Sequence, residues 1–151
     1  MDRSTCRREG GALIQFLADS SAVWRLQRDP ELTGQWLEAQ LSGAIGSCDP
    51  QRAEYRRSAR NVDEFDSMSA MFIDLYPDVP VPTTVWSWVD AAQFRLAKVG
   101  AARALSVVDL LVCATAAARG LVILHDDADF ELAERLLPAV QARRVVGPTA
   151  N

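Results

Sequence analysis

The stretch from Ser106 to Phe130 constrains this chain more than any other. Ser106-Val-Val-Asp109 has the spacing of a capping box, a hydroxyl followed three residues later by an acid. Val107, Val108, Leu110, Leu111, Val112, Ala114 and Ala116 to Ala118 make the following segment apolar nearly all round, which predicts a buried helix. Gly120 stands where a left-handed residue would stop it. Leu121-Val-Ile-Leu124 is then a short unbroken apolar run, the mark of an interior parallel strand, and it delivers His125-Asp126-Asp127-Ala-Asp129-Phe130. A buried helix that opens on a carboxylate, feeding a buried strand that ends in several more, is how an α/β chain builds a site at strand ends.

The rest of the sequence is consistent with one such domain. A chain of 151 residues can bury about 68–70% of its unfolded surface. No apolar run approaches the ~20 residues needed to cross a bilayer, so no membrane association is expected. Arg3, Arg7 and Arg8 precede a short apolar patch, but Gln15 interrupts it and Asp19 ends it, which argues against a secretory leader and for a cytoplasmic protein. Three cysteines without metal-type spacing and a single histidine, His125, exclude a Cys/His zinc site; any metal must be held by oxygen. A net charge of −4 disfavours a broad electrostatic nucleic-acid surface, although all basic residues except Lys98 are arginines, whose planar fork suits phosphate.

Taken in order, residues 1–13 are polar, contain Gly10-Gly11 and form an expected flexible extension, with the domain itself at 14–151. Ile14 to Ala18 reads as a first strand running into Asp19-Ser20-Ser21, where a serine can cap a helix from Ala22 to Gln27. A second helix, Glu31 to Leu41, follows the Asp29-Pro30 break; Ala44 to Gly46 suggests a short strand; and Asp49-Pro50 starts a third helix that carries Glu54. Asn61 caps a helix over Val62 to Leu75, three prolines leave Tyr76 to Pro82 at most a short edge-like segment, and Thr83 or Thr84 opens a helix reaching about Val99. A last helix near Asp129 to Leu137 and a strand around Arg144 to Val146 finish the chain. Alternating strands and helices predict a three-layer α/β/α sandwich around a short, mostly parallel sheet of four or five strands.

Four places then put carboxylates beside a strand end or a helix start: Asp19, Glu54, Asp109, and the group Asp126, Asp127, Asp129. Crowded carboxylates repel one another, and Mg²⁺ or Mn²⁺ is the usual resolution, since both favour hard oxygen ligands. Such an ion suits metal-assisted hydrolysis of a phosphodiester, which needs no Lys, Cys or His nucleophile.

These residues resemble the PIN domains, and among them the VapC-type toxins of type II toxin–antitoxin pairs. The resemblance runs from Phe16 to the C-terminus. It rests on Phe-Leu-Ala-Asp19-Ser-Ser-Ala-Val-Trp, on Glu54-Tyr-Arg-Arg-Ser58-Ala59-Arg60, on Ala104-Leu-Ser-Val-Val-Asp109-Leu-Leu-Val-Cys-Ala-Thr-Ala, and on Arg119 to Phe130. It implies a Mg²⁺-dependent endoribonuclease acting on structured RNA, inhibited by a VapB-like antitoxin and commonly a homodimer. Asp19, Glu54 and Asp109 match the family's three central acids, with Ser21 as the hydroxyl beside the first. Where the family reads Asp-x-Asp-Phe this chain has three aspartates; Asp127 aligns as the fourth acid, Asp129 stands next, and Asp126 is surplus.

Plainer readings stand beside these. Asp19, Ser21, Ser106 and Asp109 can be helix caps, and Asp129 the cap of the last helix. His125 is as well explained by a strand end facing solvent as by a general base. Arg56, Arg57 and Arg60 can be salt-bridged surface arginines rather than contacts to RNA or antitoxin, and Trp24, Trp36, Trp86 and Trp88 core or dimer residues. Two rivals remain: a phosphoryl-transfer domain of the receiver or phosphatase type using Asp126-Asp127 as acceptor, for which Lys98 is the only lysine and lies inside a helix, and a PIN-like binding module that keeps the fold without the chemistry.

Overall fold

The computed structural model describes residues 13–147. Four strands, β1 (Phe16–Ala18), β2 (Ile45–Gly46), β3 (Val122–His125) and β4 (Gln141–Arg144), form one sheet in the order β2-β1-β3-β4. All the pairings are parallel, with Leu17 opposite Ile123 and Ala18 opposite Leu124. Around them lie α1 (Ser20–Arg28), α2 (Pro30–Leu41), α3 (Asp49–Arg56), α4 (Val62–Leu75), α5 (Val85–Lys98), α6 (Val107–Arg119) and α7 (Ala128–Leu136).

The alternation of side chains along the strands separates two cores. Leu17 and Ile123 pack with residues of α5, α6 and α7, such as Val89, Leu96, Leu110, Cys113 and Phe130. Ala18, Ile45 and Leu124 pack on the other face with Val23, Leu26, Trp36, Tyr55 and Phe72 from α1 to α4. A sheet buried on both faces explains why its inner strands carry no polar alternation, and it realises the expected three layers. Because parallel strands end together, Asp19 after β1 and the acids after β3 come to the same edge; the Asp19 amide donates to Leu124 O at 2.9 Å. Among the described residues no helix is long and apolar enough to cross a membrane.

Beside β2 the chain passes very close to the sheet. Ser47 bridges Asp78 in parallel fashion, so the proline-rich segment does supply a short edge-like extension. A Cβ on Gly46 would stand 2.5 Å from Val79 Cγ2 and 3.1 Å from Pro77 O. Gly46→Ala is therefore expected to cost about 1–3 kcal/mol by overpacking, measured as a lower midpoint in urea unfolding.

Several boundaries differ from expectation. Asp19, not a serine, caps α1, which begins two residues early, because its carboxylate accepts the Ser21 amide. Thr84 occupies the N-cap of α5 without a side-chain cap bond. Asp127, not Asp129, caps α7. The last strand is Gln141–Arg144 rather than Arg144 to Val146: pairing with β3 sets its register, and Val145 is buried just beyond it, donating to His125 O at 2.7 Å. The extension expected at residues 1–13 lies, but for Leu13, outside the described residues.

Candidate active site

Each carboxylate at the strand edge is placed by its own local structure. Asp19 Oδ2 accepts both the Ser21 amide (3.0 Å) and the Ser21 hydroxyl (2.7 Å), while Asp19 Oδ1 is buried without a hydrogen-bond partner. Asp109 lies in the capping box: Asp109 Oδ2 accepts the Ser106 amide at 3.2 Å and Ser106 Oγ accepts the Asp109 amide at 3.1 Å. Capping and site geometry thus coincide at Asp19 and at Asp109. Asp127 Oδ1 accepts the Asp129 amide at 2.9 Å, which opens α7 and puts Asp129 in its first turn.

Glu54 reaches the group from α3. That helix is tied to α1 by Ser20, whose hydroxyl donates to Gln51 O at 3.2 Å and accepts from Gln51 Nε2 at 3.3 Å. Ser20 and Gln51 are site-building residues that sequence reading missed. Both are buried polar residues, and Gln51 lies three before Glu54, hence on the same helix face. A polar residue on the inward face of a short helix was the one signal available.

The carboxyls feel one another. Burial pushes Asp19 up to about 6; the bonds from Ser21 oppose this, and Asp109 and Glu54 add to it. Glu54 is raised by burial, lowered by Ser20 and by Arg57, and raised by Asp109 and Asp127. Asp109 is raised by burial against its Ser106 bonds, with Asp127 and Asp129 contributing, and Asp129 is raised by burial and by Asp127. The fold thus brings together Asp19, Glu54, Asp109, Asp127 and Asp129. Among the described residues no three such side chains are already drawn into a ready coordination shell. The donor set is nevertheless one of hard oxygens with a buried oxygen left unpartnered, which fits a divalent cation such as Mg²⁺.

Asp126 does not join them. Its carboxylate is held by Arg25 (3.6 Å) and Arg144 (3.2 Å), Arg144 also pairing with Glu131, and its amide donates to Ser21 Oγ at 2.9 Å. An acid engaged by two arginines is a poor phosphoryl acceptor, and Lys98 lies on α5 over the Phe94 ring.

His125 departs from expectation most. It is 1% exposed rather than facing solvent, its ring lying against Phe130 of α7; burial and Arg144 hold its pKa below the usual histidine value. Its Nδ1 accepts the Asp127 amide at 3.1 Å. Of the arginines, Arg56 bonds Ser69 and stacks on Phe65, Arg60 pairs with Glu64, and Arg57 stays near Glu54. Trp36 is a core residue whose Nε1 donates to Val145 O, Trp24 stacks on Tyr55, and Trp88 packs against the core. Trp86 is exposed instead, on an open hollow of about 670 Å³ shared with Glu54 and Arg57.

No family model matches the chain. Ribonuclease VapC6 of Mycobacterium tuberculosis (strain ATCC 25618 / H37Rv) is 73% identical over 103 residues, covering 68% of this chain and 81% of that relative. A chain of the crystal structure of VapBC2 from Rickettsia felis, bound to a DNA fragment from its promoter, superposes with a TM-score of 0.71 at 10% identity, covering 87% of this chain and 98% of the other. For VapBC-5 from Mycobacterium tuberculosis, a member of the VapBC family of toxin-antitoxin systems, the TM-score is 0.59 at 22% identity, over 86% and 98%. The two superpositions establish the shared fold, and the high identity to VapC6 establishes the rest: this chain belongs to the VapC family of ribonucleases, as the PIN-domain resemblance implied.

Proposed function

We propose that this chain is the toxin of a VapBC-like pair, an endoribonuclease that depends on Mg²⁺, with Mn²⁺ as substitute, and that a VapB-like antitoxin restrains it. The observation that carries the metal reading is the buried, unpartnered Oδ1 of Asp19 among four further acids. Asp19, Glu54, Asp109 and Asp127 would hold the cation, with Asp129 beside them. A bound divalent ion would supply Lewis acidity toward an RNA phosphate and make water a better nucleophile at neutral pH.

The protein's own groups do the placing. Ser21 fixes one oxygen of Asp19 and leaves the other open to a ligand. The capping box limits Asp109 to the first turn of α6. Glu54, half-buried and raised in pKa, is the group suited to accept a proton from an attacking water. Arg57 at the edge of the Trp86 hollow offers a charge for RNA phosphate. Leu37 and Leu41 of α2 with Phe65 and Ile73 of α4 are exposed apolar side chains, surface that an antitoxin or a second copy in a homodimer would cover. The site of action is the cytoplasm.

The test is cleavage of cellular RNA by purified protein, with the ends sequenced. Cleavage is expected with Mg²⁺, absent with chelator, and lowered at least about a hundredfold in Asp109→Asn, which still binds its antitoxin. Full activity with chelator, or in Asp109→Asn, would overturn the proposal.

A further inference from the structure

The turn after β3 is held by two successive amides pinned to different partners. The Asp126 amide donates across the sheet edge to Ser21 Oγ at 2.9 Å, and the Ser21 hydroxyl donates onward to Asp19 Oδ2 at 2.7 Å. The Asp127 amide donates back to His125 Nδ1 at 3.1 Å, and Asp127 Oδ1 accepts the Asp129 amide at 2.9 Å. The imidazole itself has little room to move. It is 1% exposed, lies against the Phe130 ring at 5.5 Å, and belongs to a residue whose carbonyl accepts the Val145 amide.

A ring nitrogen that accepts an N–H carries no proton, so a neutral His125 must be the Nε2–H tautomer. We infer that His125 is a positioning residue: its Nδ1 lone pair fixes the Asp127 amide, and thereby where the Asp127 carboxylate and the first turn of α7 stand relative to Asp19. The inference rests on the proposed role of Asp127 in the site. A residue that merely filled space beneath Phe130 would need bulk and no lone pair. Asparagine carries an acceptor oxygen on its γ carbon, as histidine carries Nδ1, but is smaller; leucine keeps more of the bulk and has no acceptor. The two substitutions therefore oppose the two explanations.

The experiment compares wild type, His125→Asn, His125→Leu and Asp127→Asn as full chains. Long-range ¹H–¹⁵N spectra of wild type, which need neither cation nor RNA, are expected to show Nδ1 unprotonated and Nε2 protonated; the opposite tautomer overturns the inference. The Asp127 amide is expected to exchange about tenfold faster in His125→Leu and to stay protected in His125→Asn, as loss of one hydrogen bond requires. In Mg²⁺-supported cleavage, kcat is expected to fall about 10–100-fold in His125→Leu with KM nearly unchanged, and to recover in His125→Asn. Protection and activity kept by leucine but lost by asparagine would overturn it in favour of bulk. Asp127→Asn separates the two levels: full cleavage there overturns the role given to Asp127, whereas the tautomer and exchange results judge His125 independently of that role.

Discussion

Asp19→Asn is expected to abolish cleavage, a loss of at least about a thousandfold, and at the same time to make the cation-free protein more stable at neutral pH. The stability gain follows from the sign of the shift. The Asp19 carboxyl moves from 3.8 to about 6 on folding, so between these values the native state binds the proton that the unfolded chain has released. Stability is therefore lost as pH rises through that window, and above it the full penalty of a buried, crowded carboxylate remains, on the order of 3 kcal/mol. An asparagine oxygen can keep both bonds from Ser21, but its NH₂ then sits where Asp19 Oδ1 has no partner, which takes back about 1–2 kcal/mol. The net expectation is a midpoint higher by about 2–6 °C at pH 7.5, falling through zero as the wild-type carboxyl takes up its proton and leaving the mutant slightly less stable than wild type at pH 4. Thermal unfolding of the two proteins across that range decides it; a mutant less stable than wild type at pH 7.5 would mean that the acids do not strain the fold.

Divalent cation should relieve the same strain in the wild-type protein. Mn²⁺ or Mg²⁺ at a hundred times its dissociation constant is expected to add about 2.7 kcal/mol, an upward shift of roughly 5–10 °C in unfolding temperature. Ligand and proton compete for the same carboxylates, and with Asp19 raised to about 6 the competition falls near neutrality. The cation-induced shift should therefore be large at pH 7.5, much reduced at pH 5, and nearly absent in Asp19→Asn at either pH. Unfolding scans over a MnCl₂ titration give the answer, and an equal shift at both pH values would sink the account.

What could be seen in the sequence was local. Asp109 was legible because a capping box places its two members three residues apart, and β3 because an apolar run after a glycine stop has few other uses. Glu54 was less so: it stood near a helix start, but in a charged string on a short helix it looks like a solvated face, and the family pattern was what raised it above that reading. The choice among Asp126, Asp127 and Asp129 depended on Arg25 and Arg144, which reach Asp126 from distant parts of the chain. His125 was misread for a similar reason, since the ring packs against Phe130 of the following helix, a contact that the strand's own residues do not announce. The link from Ser20 to Gln51 joins two helices, and its one local sign was a polar residue on the inward face of α3.

The strand order carries one more consequence, for the timing of synthesis. Among the described strands β1 is made first, yet its neighbours in the sheet are β2 and β3, and β3 is made only after α1 to α6. Asp19 therefore leaves the ribosome long before the strand that completes its surroundings; at roughly 5–20 residues per second the delay until Asp127 is on the order of ten seconds. A nascent chain interrupted within that interval holds β1 with its β3 edge unpaired and lacks Asp127. On the proposed reading such fragments carry no hydrolytic capacity, and a cell that starts translating this message is exposed to the nuclease only once β3 and Asp127 have been made.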